Sequence, residues 1–263
     1  MTAEAVVARI KAQLASQGVA WREGGRDTFK AGTPETEVRG IATSGMSTFD
    51  VLRRAAKAGQ NLVVTHEPTF YNDRDVTTGL ETDPVYRAKQ QFIAEHHLVV
   101  WRFHDHAHAM RPDPLIAGSA RALGWTSYAS PDDPRVYLLP PTTLGELASA
   151  IARRLGDRGI RVVGDPAMKV SRVVLGPGYG MPALSGTADV VVGGEIGESG
   201  GNTEYALDAA AAGQPKAMIM LGHMMSEDHG MQEVADWLRT FLVDLPIAFI
   251  PAGEPFTDTI RAI

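Results

Sequence analysis

Short apolar runs alternate with stretches of helical periodicity along the whole chain, and this alternation restricts the fold more than any other feature. Helical periodicity predicts helices over 3–17 (ended by Gly18), 84–96, 114–124, 204–212 (closed by Gly213) and 226–243. Ser47 with Asp50 gives a capping-box-like start to a helix through 58, stopped by Gly59, and Thr143 with Glu146 caps another to about 155. Between them lie strand-like runs at 38–43, 61–65 (NLVVT), 98–103 (LVVWRF), 136–140, 161–163, 172–175, 189–192 (DVVV), 217–221 (AMIML) and 247–250. Alternating elements of this kind predict α/β architecture, as two layered α/β domains with mostly parallel sheets. The Pro- and Asp-rich stretch 128–135 reads as a linker. The expected division is an N-terminal domain over 1–130 and a C-terminal domain or half over 131–263.

Composition narrows the function classes. The chain has 263 residues, 44% hydrophobic and 21% charged, which suits a folded soluble protein rather than a disordered one. Net charge is −6 without a Lys/Arg run, which argues against a nucleic-acid surface. There is no cysteine, so disulfides, thiolate nucleophiles and zinc–thiolate sites are excluded. The first 18 residues do not read as a signal peptide, because Glu4, Lys11 and Gln13 interrupt any apolar stretch. No apolar run approaches the ~20 residues a membrane helix requires. A cytoplasmic protein is expected, with a small-molecule substrate and no nucleic-acid or membrane partner.

The chemistry gathers behind three of the apolar runs. NLVVT leads into His66 and Glu67, LVVWRF into His104, Asp105, His106 and His108, and AMIML through Gly222 into His223 with Glu227 four residues on. Ligands of open α/β sheets bind beyond the carboxyl ends of strands, where all three groups fall. Residues four apart share a helix face, which applies to His223 with Glu227 and to His104 with His108. Pro68 favours a sharp turn after His66 and Glu67. A lone His at a strand end is more often a hydrogen-bonded surface residue than a ligand; three such groups together favour metal binding. Imidazole and carboxylate donors without thiolate suit Zn, Mn, Fe, Co or Ni. His96 and His97 read as structural, and Met224 and Met225 as packing. The run from Gly176 to Gly180 reads as a tight turn, with an anion-holding loop as the alternative. Glu195 and Glu198 follow DVVV, as bases standing behind the ligands or as solvated acids.

The motifs resemble the Ngg-interacting-factor-three-like family of dinuclear-metal-centre hexameric proteins, often labelled type-two homologues of GTP cyclohydrolase I. The resemblance covers nearly the whole chain. The family's strand ending in His-His-Pro is matched by His66-Glu67-Pro68. Its His-x-x-x-Asp is matched by His104 and His108, and its Gly-His-x-x-Ser-Glu by Gly222 through Glu227. Two positions depart: Glu67 stands for a His, and His108 for an Asp. The set remains four His and two carboxylates: His66, Glu67, His104, His108, His223 and Glu227. The resemblance implies two divalent ions per chain in the cleft between two α/β domains, bridged by Glu227, and a homo-oligomer that is a toroidal hexamer.

Two ions about 3.5–4 Å apart acidify water and clamp a developing oxyanion. The implied activity is that of a metal-dependent hydrolase opening a C–N bond, cyclic amide or amidine, of a small heterocycle. Glu195 and Asp105 are the candidate proton shuttles. The alternative is a non-catalytic protein that binds or delivers metal or regulates an assembly. A nucleotide-binding module without metals is disfavoured, since neither GxxxxGK[ST] nor GxGxxG follows a strand.

Overall fold

The computed structural model describes residues 1–156 and 159–256 and divides into two compact α/β units. Unit 1 comprises Met1–Pro114 and Gly230–Ala252; unit 2 comprises Leu115–His229 and the chain from Gly253 on. The chain thus changes unit at 114/115, ahead of the stretch whose Pro/Asp composition predicts a linker, returns to unit 1 at 229/230 and leaves it again at 252/253. The reason for the return is one strand: β10 (Ile247–Phe249), near the C-terminus, pairs in parallel with β2 (Ile41–Ser44) near the N-terminus. Such a long-range pairing leaves no local signal in either segment. Among the described residues no helix is long and apolar enough to cross a membrane.

The sheet of unit 1 adds β1 (Phe29–Ala31), β3 (Leu62–Thr65) and β4 (Val99–Arg102), in the order β1-β4-β3-β2-β10. Three of its four pairings run parallel; the fourth joins β1 to β4 as a short antiparallel edge that hydrophobic patterning does not reveal. Helix α1 (Ala3–Ser16) is capped by Thr2, and Gly18 follows it with φ +80°, the left-handed geometry glycine tolerates. Helix α2 (Phe49–Lys57) is capped by Thr48, whose side chain accepts from the Val51 N–H, one residue later than the Ser47/Asp50 reading. Ser47 instead bonds Thr69. Val51, Leu52 and Ala55 of α2 and Ile93 of α3 (Pro84–Glu95) pack against Ala42, Val63 and Val100 of the sheet.

Unit 2 holds β5 (Val136–Thr143), β6 (Arg161–Val163), β7 (Lys169–Gly176), β8 (Val190–Gly193) and β9 (Ala217–Met220), ordered β5-β7-β8-β9-β6. The three central strands are parallel and both edges antiparallel. Period-2 alternation buries both faces. Val173, Leu175, Val190 and Val192 pack with α5 (Pro114–Leu123) and α6 (Leu144–Leu155), while Val174 and Val191 pack with Ala206 of α7 (Gly201–Ala211). The capping box at α6 forms with both reciprocal bonds between Thr143 and Glu146. Helix α8 (His223–Arg239) begins three residues earlier than its periodicity suggests, at the His itself.

Candidate functional site

In unit 1 the register of one strand pair brings the first two motifs together. Thr65 of β3 lies opposite Arg102 of β4, so the parallel strands end side by side and release His66 and His104 at the same sheet edge. The two imidazoles stack with centroids 4.4 Å apart. Helix α4 (Asp105–Ala109) is a single turn with His104 at its N-cap. It returns His108 to within 5.0 Å of the His66 ring and 4.9 Å of the His104 ring. Each of the three His offers one ring nitrogen, and these nitrogens lie within 4.8 Å of one another. Glu67 joins them: its Oε1 is 3.9 Å from His66 Nε2 and 3.8 Å from His104 Nε2.

The turn bearing His104 and His108 is fixed by a residue that motif reading does not find. Asp27, buried, accepts from the backbone N–H groups of His104 and Asp105 through Oδ1 and from that of His106 through Oδ2. These are N-terminal donors a short helix leaves open. Asp27 also accepts from the His106 ring, which stacks on Trp21 at 3.8 Å and takes the Arg22 N–H on its Nε2. His106 is therefore engaged on both nitrogens and serves the fold. The sequence holds no local cue for Asp27, since its contacts lie almost 80 residues away. Beside this turn a cavity of about 710 Å³ is lined by Arg22, Glu23, Arg26, Asp105 and His106 among others.

In unit 2 the same principle of register applies. Gly176, Gly193 and Met220 lie abreast at the ends of β7, β8 and β9, so the three following segments meet at one edge. His223 and Glu227, on the first turn of α8, place Nε2 and Oε2 3.0 Å apart. Glu195, after β8, accepts from His223 Nδ1 at 3.0 Å. The glycine turn after β7 lies against this pair: a Cβ on Gly178 (φ +61°) would stand 2.0 Å from Glu227 Oε1 and 3.3 Å from His223 Nε2. The Gly178 N–H donates to Ser226 Oγ, and Glu195 N–H to the Gly178 carbonyl, which accords with a tight turn. Tyr179 sets its ring edge-on to His223 at 4.8 Å. Met224 and Met225 are buried, as packing residues. Glu198 points elsewhere, to an exposed pair with Arg161.

A shared detail decides which nitrogen each His offers. His66 Nδ1 faces the Phe103 carbonyl at 3.1 Å, His104 Nδ1 faces Asp105, and His108 Nδ1 faces Asp113, both at 3.0 Å; His223 Nδ1 faces Glu195. Carbonyls and carboxylates only accept, so a neutral ring at His66, His104 or His108 carries its proton on Nδ1 and its lone pair on Nε2, whereas His223 has a carboxylate at each nitrogen, Glu195 at Nδ1 and Glu227 at Nε2. Acceptors of this kind behind the outer nitrogen are typical of metal-ligating His. Burial pushes His66 well below its ordinary pKa, with the neighbouring His104, His108 and Arg102 adding to the effect. Burial lowers His104 as well, against the opposing charge of Glu67. Rings kept neutral near pH 7, beside carboxylates and without thiolate, fit a divalent ion that prefers N and O donors.

The model of the Duf34/NIF3 family (NGG1p interacting factor 3) matches residues 12–255. The chain belongs to the Duf34/NIF3 family. Solved structures share its fold: a Bacillus cereus protein related to NIF3 (TM-score 0.72, 15% identity, 100% of this chain and 99% of that one), the Staphylococcus aureus hypothetical protein SA1388 (0.70, 17%, 98% and 99%), and reduced HcgD from Methanocaldococcus jannaschii (0.60, 18%, 95% and 97%). No curated protein matches. In this Duf34/NIF3 chain the two exchanged residues, Glu67 and His108, both stand with the other candidate ligands of unit 1.

The two expected proton shuttles have different surroundings. Burial pushes the Asp105 carboxyl up, but the Arg26 backbone N–H, His104 and the Arg26 guanidinium outweigh it and hold the group at about 2. Asp105 is thereby ionised and engaged. Glu195 is half exposed and bonded to His223.

Proposed function

We propose that this chain is a dinuclear-metal-dependent hydrolase acting on a C–N bond, cyclic amide or amidine, of a small heterocyclic substrate. Its proposed ligands are His66, Glu67, His104, His108, His223 and Glu227, with two ions drawn from Zn, Mn, Fe, Co or Ni. The observation that supports metal binding is the common orientation of the four His, each with Nδ1 facing an acceptor. Bound there, divalent ions supply Lewis-acid polarisation and acidify water. The bridging role of Glu227 and the hexameric assembly follow from the family resemblance.

The chain's own residues divide the remaining work. Asp105, ionised and engaged by Arg26, orients His104, and proton transfer falls to Glu195, which reaches both solvent and His223 Nδ1. The cavity beside Asp105 is of a size that admits a small heterocycle. Elemental analysis of tag-free protein purified without chelator tests the reading, beside a His66→Ala/His223→Ala variant. About two equivalents of a transition metal in the native chain alone, followed by metal-dependent hydrolysis of cyclic amides or amidines, is the expected result. A native chain that takes up no ion after incubation with each of the five metals overturns it. Full metal loading without hydrolysis would leave metal delivery as the function.

A further inference from the structure

We propose that Arg102 is a positioning residue that holds Glu67 to a single donor oxygen, so that the exchange of His for Glu at position 67 depends on it. The proposal rests on the reading of Glu67 as a metal ligand. Arg102 is the last residue of β4 and is fully buried. Its Nε–H donates to the His66 carbonyl at 2.9 Å, and its Nη1–H to the Asp73 carbonyl. Its Nη2–H donates to Glu67 Oε2 at 3.3 Å. One planar guanidinium therefore grips both residues of the turn that follows β3. With Oε2 engaged, Oε1 is the oxygen turned toward His66 and His104.

The charge balance supports the same assignment. A cation beside a prospective metal site repels a divalent ion and, buried, requires carboxylate partners. Arg102 has Glu67 at 3.3 Å, Asp73 at 3.5 Å and Asp75 at 3.8 Å. Asp75 is already paired with Lys30, and Asp73 with Arg26. Glu67 is the carboxylate that joins Arg102 to the imidazoles of His66 and His104. A His at position 67 would offer Arg102 no negative charge, whereas Glu67 satisfies the cation with one oxygen and leaves the other for an ion. The fork geometry matters: a lysine ammonium is a single point charge and does not reproduce the separate Nε, Nη1 and Nη2 bonds to His66, Asp73 and Glu67.

A double-mutant cycle on the full chain tests this, with Zn²⁺ affinity read by competition against a chromophoric chelator and folding by circular dichroism. Arg102→Gln is expected to lower Zn²⁺ affinity about 10–100-fold, the range seen when a partner behind a ligand is removed. Glu67→Gln should lower it as well, and the double variant should bind no more weakly than Glu67→Gln alone. Losses that add, or unchanged affinity in folded Arg102→Gln, overturn the proposal, since Arg102 would then only brace the loop. Should Arg102→Gln not fold, Arg102→Lys retains the buried cation and is expected to lose affinity too. Wild-type affinity in that variant equally overturns the proposal. A native chain that binds no Zn²⁺ defeats the metal reading itself, whereas tight native binding indifferent to Arg102 defeats only this inference.

Discussion

The two units build their candidate ligands in different ways. In unit 1 three imidazoles and a carboxylate come from two adjacent strand ends and are fixed by hydrogen bonds: Phe103, Asp105 and Asp113 behind the rings, Asp27 beneath the turn, Arg102 behind Glu67. In unit 2 two ligands share one helical turn: Glu195 holds the His223 ring, and the backbone of Gly178 lies where any side chain would strike Glu227. His66 is wholly buried, whereas Glu195, the partner behind His223, is 51% exposed. Hydrogen-bonded, buried ligands are preorganised by the partners behind them, so the loss of one partner is felt in affinity. At Glu227 the close approach of the Gly178 backbone sets the room the carboxylate has.

The largest effect that breaks this comparison is expected from Gly178→Ala. The left-handed backbone costs about 1 kcal/mol for a non-glycine residue, and the added methyl displaces the Glu227 carboxylate. The fold should persist while the metal content measured by elemental analysis falls by about one equivalent. A variant that keeps native content would show that Glu227 is not confined by Gly178.

A smaller contrast is expected between the partners behind the rings. Asp113→Asn, behind His108 with the carboxylate largely covered, should weaken metal affinity about 10–100-fold. Glu195→Gln, whose partner group is open to water, should cost only a few-fold because solvent replaces part of the bond. Equal losses in chelator competition would erase the distinction between the units.

The smallest effect concerns acid. His66 and His104 have folded-state pKa values below their ordinary value near 6.5. As pH falls through that value the unfolded chain takes up protons that the folded chain refuses, so stability declines with falling pH. Urea midpoints of metal-free protein should drop between about pH 7 and 5, and His104→Gln should shrink the drop. An unchanged pH dependence in that variant would place the acid sensitivity outside the ligand set.

Much of this was legible in the residues. Alternation of apolar runs and helical periods gave α/β units, because a strand buried on both faces must be apolar, as Val173, Val174 and Leu175 are. The family resemblance was legible in Gly222 through Glu227, because chemistry at strand ends leaves compact local motifs. What the tertiary structure alone decided lies in pairings across distance. The return of β10 to β2, the antiparallel edge β1, Asp27 beneath the His104 turn and Arg102 against Glu67 all join residues whose partners the local pattern does not name. Periodicity reports what a residue does with its near neighbours along the chain. Register and hydrogen bonding between distant segments are settled only when the sheets assemble, and these decide which nitrogen of each His faces outward.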